Sequence, residues 1–125
     1  MELANKFITP GIVFILTVAF GFWLSFAGRP YNGILFNVHK LIALGAVVVT
    51  IMQTVKTFRE TGVQALPLLL VILAAVCAMA LFATGALMSM EKFSYEVSRV
   101  IHRVAPVLAL LAMVVAVVIL RTGKP

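Results

Sequence analysis

The sequence has one cysteine and four acidic residues among 125, and little outside its apolar runs from which a water-exposed domain could be built. Each shortage removes a class of function. With Cys77 alone, no disulfide forms within the chain and dithiol redox chemistry lacks its second thiol, which excludes four-helix oxidoreductases of the disulfide-forming, quinone-linked type. The four carboxylates, Glu2, Glu60, Glu91 and Glu96, all fall outside the apolar runs, and no residue pair reads as a proton-transferring acid and base. Charged residues make up 11% of the chain against 63% hydrophobic ones, with a mean hydropathy of +1.16. That balance excludes a water-soluble globular domain.

What is present is four apolar runs, about 7–27, 34–55, 63–90 and 97–120, each near the ~20 residues that cross a bilayer as a helix. Short connections between them predict an all-α integral membrane protein, an up-down-up-down bundle of four transmembrane helices forming a single domain over residues 1–125. The first run is full length with no small-residue cleavage site after it, so it reads as a helix and not as a signal peptide. The expected setting is multi-pass in a prokaryotic inner membrane, with the lipid bilayer as the main partner. The net charge of +6 belongs to residues flanking the spans, and nucleic acid is not an expected partner. Lys6, Lys56, Arg59, Arg121 and Lys124 fall on one side, and Arg29, Lys40, Lys92, Arg99 and Arg103 on the other. Five against five sets no orientation.

Along the chain, Pro10 opens the first helix, where its missing N–H does no harm. Thr17, Gly21 and Gly28, with Ser25 nearby, form a small-residue stripe of the kind that admits a neighbouring helix. Residues 28–33 are a breaker-rich turn, with Trp23 and Tyr31 placed for an aromatic belt. The second helix carries His39, Ala43, Ala46, Thr50 and Gln53 on one face, read as facing the bundle interior. Residues 56–62 are expected to close it as a surface loop. Ser94 is the expected N-cap of the fourth helix, with Glu96 in its first turn. That helix repeats the pattern of the second with His102, Ala105, Ala109, Ala112 and Ala116, and holds Pro106 in its interior.

The two histidines are the only ones in the chain and lie 63 positions apart. Val38-His39-Lys40-Leu41 is matched by Ile101-His102-Arg103-Val104, which raises the idea of two related hairpins fused in parallel. In an up-down bundle the second and fourth helices are parallel and diagonal, with axes roughly 11–14 Å apart. Two inward imidazoles then meet at one metal, a span that suits a haem iron with two axial histidines. Gly21 and Gly85 leave room for the macrocycle, while Arg29, Lys40, Arg99 and Arg103 are placed to hold its propionates near one surface.

These features resemble the small four-helix membrane b-type cytochromes, the bacterial cytochrome b561-like proteins and the membrane anchors of quinone-linked respiratory enzymes. The resemblance implies one haem b with His39 and His102 as axial ligands, and electron transfer with a quinone, superoxide or a redox partner protein. The chain departs from the b561 pattern of four histidines and two haems. Association of copies of the chain stays open as an arrangement. Met88 and Met90 are further donors of a type haem accepts, and Glu91 and Glu96 keep a zinc site in view. Two other classes compete: a small transporter or channel working as a dimer, and a non-catalytic subunit of a larger complex. The first lacks the membrane-embedded glutamate of small drug exporters and the polar motifs of small fluoride channels.

Overall fold

A computed structural model describes residues 5–28, 32–90 and 95–122. Arg29, Tyr31, Glu91, Lys92, Ser94 and Lys124, each singled out above, lie outside the described residues. The chain is all-α, with no strand among the described residues. Its helices are α1 (Ile8–Ala27), α2 (Gly33–Thr61), α3 (Ala65–Met90) and α4 (Tyr95–Thr122). All four are long and apolar enough to cross a membrane, which fits an integral multi-pass membrane protein.

The helices fall into two compact units, Met1–Gly62 and Val63–Pro125. The first is the α1–α2 hairpin. Lys6, just before α1, forms an ion pair with Glu60 at the far end of α2, and Gly21, late in α1, meets His39, early in α2. The two helices therefore run antiparallel. Asn32 starts α2, its side-chain oxygen accepting from the N–H groups of Ile34 and Leu35 at 2.9 and 3.1 Å, which satisfies two donors that the helix itself leaves open. The helix does not give way to a loop at Lys56, as the polar sequence there predicts. It continues to Thr61, with the Thr57 and Thr61 hydroxyls donating to the carbonyls four residues back. Gly62 ends it at φ +83°, its N–H donating to the Phe58 carbonyl. Lysine, arginine and glutamate are good helix formers, so only the left-handed glycine stops the winding.

The second unit is the α3–α4 hairpin, in which Thr84 and Gly85 near the end of α3 meet His102 near the start of α4. Buried positions on α3 are Pro67, Cys77 and Thr84, and on α4 Ser98, Ala105, Ala112, Ala116 and Leu120. Ser98, Ala105 and Ala112 recur every seventh residue, the spacing that keeps one seam turned inward along a pair of packed helices. The alanines on this face leave no long side chains to hold the helices apart, as small residues do at interfaces within membranes. α4 begins at Tyr95 and runs through Pro106 without a break. Trp23 is exposed and stacks on Phe20 at 5.7 Å, as suits an aromatic side chain at a membrane interface.

Candidate functional site

Both histidines lie early in the second helix of their own hairpin, and each packs against a glycine late in the first. At Gly21 an added Cβ would come within 3.0 Å of His39 Cε1, and at Gly85 within 3.3 Å of His102 Cε1. The two glycines thus sit directly beside an imidazole ring, a closer role than the general clearance expected for them.

Each ring is also tied to the neighbouring helix through Nδ1. His39 Nδ1 lies 3.0 Å from the backbone carbonyl of Thr17. A carbonyl only accepts, so Nδ1 carries the proton and donates. Gly21 stands four residues after Thr17, above that carbonyl in the helix, and its missing side chain leaves the carbonyl open from the side. His102 Nδ1 lies 2.9 Å from the Thr84 hydroxyl. That hydroxyl has one proton, directed to the Ala80 carbonyl at 2.7 Å, with the Leu81 carbonyl at 3.2 Å. With that proton on a carbonyl the oxygen accepts, the arrangement in which His102 Nδ1 donates. In that arrangement both rings carry the proton on Nδ1, which leaves Nε2 as the nitrogen able to ligate a metal when Nδ1–H is held by an outer partner.

Thr17 and Thr84 were not apparent as partners in the sequence. Thr17 contributes only its carbonyl, which no side-chain pattern reveals. Thr84 is the more legible of the two, a hydroxyl beside Gly85 facing the histidine end of α4.

The basic residues are placed as follows. Lys40 is exposed, its ammonium 5.7 Å from the Phe36 ring centre. Arg99 is half-buried, 3.5 Å from a Glu96 carboxylate oxygen and 5.9 Å from the Tyr95 ring centre. Arg103 is exposed, one residue past His102. Arg29, the fourth expected propionate partner, lies outside the described residues. Of the interior face expected on α2, Ala46 is buried and His39, Ala43, Thr50 and Gln53 are half-buried. On α4, Ala105, Ala112 and Ala116 are buried, with His102 and Ala109 half-buried. Among the described residues no three histidine, cysteine or acidic side chains gather in a group able to hold a metal ion.

No protein-family model, curated protein or solved structure matches the chain.

Proposed function

We propose that this chain is a membrane b-type cytochrome binding one haem b through His39 and His102, with electron transfer as its function. The observation that carries the proposal is the repeated clasp. Two hairpins each hold one imidazole against a glycine, with Nδ1 bonded to the partner helix, the kind of outer contact that orients a metal-ligating histidine.

In this reading His39 and His102 would be the two protein ligands of one haem iron. Haem supplies a one-electron couple when bound. The chain's own residues would hold it. The Nδ1–H bonds make Nε2 more basic and fix the ring planes, the alanine-rich faces exclude water, and Lys40, Arg99 and Arg103 offer positive charge to the propionates. A quinone or a redox protein is the electron partner that fits a prokaryotic inner-membrane setting.

The test is the visible spectrum of the purified chain, oxidised and then reduced with dithionite. A low-spin six-coordinate haem gives sharp α and β bands on reduction that are lost in both His39→Ala and His102→Ala. A protein produced with ample haem that shows no such spectrum overturns the proposal.

A further inference from the structure

The two clasps differ in one respect. His39 donates to a backbone carbonyl, which is fixed in the α1 helix and can only accept. His102 donates to a hydroxyl, and that hydroxyl accepts only because its own proton is spent on the Ala80 carbonyl. On its Nδ1 side His102 therefore meets a buried side chain, whereas His39 meets the main chain. Thr84 is 6% exposed, so bulk water does not stand in for the hydroxyl.

We propose that Thr84 is the positioning residue of His102: its hydroxyl, oriented by the Ala80 carbonyl, holds the ring in the Nδ1–H tautomer and presents Nε2 as the lone-pair nitrogen. As a statement about ligation this rests on the haem proposal, in which it makes His102 the more readily exchanged of the two ligands. As a statement about the ring it stands on the α3–α4 hairpin alone.

The experiment uses the full chain, labelled with ¹⁵N-histidine in detergent micelles without haem, at about pH 9, where an unperturbed imidazole is neutral. Couplings from the ring nitrogens to the carbon-bound ring protons report which nitrogen is protonated, and a His102→Gln variant assigns the two rings. In the unmodified chain both rings are expected as Nδ1–H. Thr84→Val keeps the shape of the side chain and removes the hydroxyl. The expected result is that His102 moves to the Nε2–H form, alone or in a mixture, while His39 is unchanged. Thr84→Ser retains the hydroxyl and is expected to restore the Nδ1–H form. An unmodified chain with His102 as Nε2–H, a valine variant with no change, or a serine variant that behaves like valine would overturn the role of Thr84.

No haem enters this measurement, so a chain that binds none still decides the matter. In haem-loaded protein the same Thr84→Val change is expected to add a high-spin fraction to the spectrum, and a purely structural role for Thr84 would not move the tautomer.

Discussion

Replacing Gly21 by alanine tests the α1–α2 clasp with a single methyl group. The new Cβ would stand 3.0 Å from His39 Cε1, whereas carbon atoms rest comfortably at roughly 3.5–4.0 Å. The ring must give by a few tenths of an ångström to relieve that overlap. A retreat of this size stretches the 3.0 Å contact from His39 Nδ1 to the Thr17 carbonyl toward the limit at which a hydrogen bond is lost. An unsatisfied buried donor costs about 1–3 kcal/mol, against which alanine gains about 1 kcal/mol over glycine within a helix. Gly45→Ala is the control, because among the described residues nothing lies within 4 Å of its added Cβ. Gly21→Ala should therefore unfold about 1–3 kcal/mol more easily than Gly45→Ala in mixed micelles of increasing SDS content. If haem binds as proposed, its retention should fall by about 10–100-fold, the usual cost of disturbing an outer partner of a metal-ligating histidine. Equal stability of the two variants, with equal haem content, would refute the clasp as drawn.

Gly85→Ala meets His102 at 3.3 Å and should show the same effects in milder form, measured in the same titration. Asn32→Ala removes the side-chain cap of α2 and should cost about 1 kcal/mol of stability in that assay. Gly62→Ala forces a side chain into a backbone conformation at φ +83° and should cost about 1–2 kcal/mol. Glu60→Gln removes the charge from the exposed pair with Lys6 and should leave the midpoint of that titration nearly unchanged, with any shift smaller again at high salt.

The helices were legible in the sequence because membrane-length apolar runs leave few alternatives. Their ends were less so. Lys56 to Thr61 look like a loop by polarity, yet Lys56, Arg59 and Glu60 favour helix, and the stop comes from Gly62. The buried faces of α2 and α4 followed from spacing, since Ala46, Ala105, Ala112 and Ala116 are buried where the 3.6-residue period puts them. His39, His102, Gly21 and Gly85 were each readable as candidates. Their pairing was not, because which glycine faces which histidine depends on hairpin register, and sequence spacing within one helix says nothing about its neighbour. The Thr17 carbonyl was out of reach altogether, since every residue has one and only the open flank at Gly21 makes this one available. Arg99 shows the reverse case: its charge was evident from the sequence, but its nearby partners Glu96 and Tyr95 emerged only from the fold.

The most direct test of the central claim is the reduced-minus-oxidised visible spectrum of the detergent-purified chain after expression with ample haem. Ligation of one haem by both histidines predicts a low-spin b-type spectrum with one haem per chain, abolished as a six-coordinate species by either His39→Ala or His102→Ala. A featureless spectrum, or a haem spectrum that survives both substitutions unchanged, would contradict it.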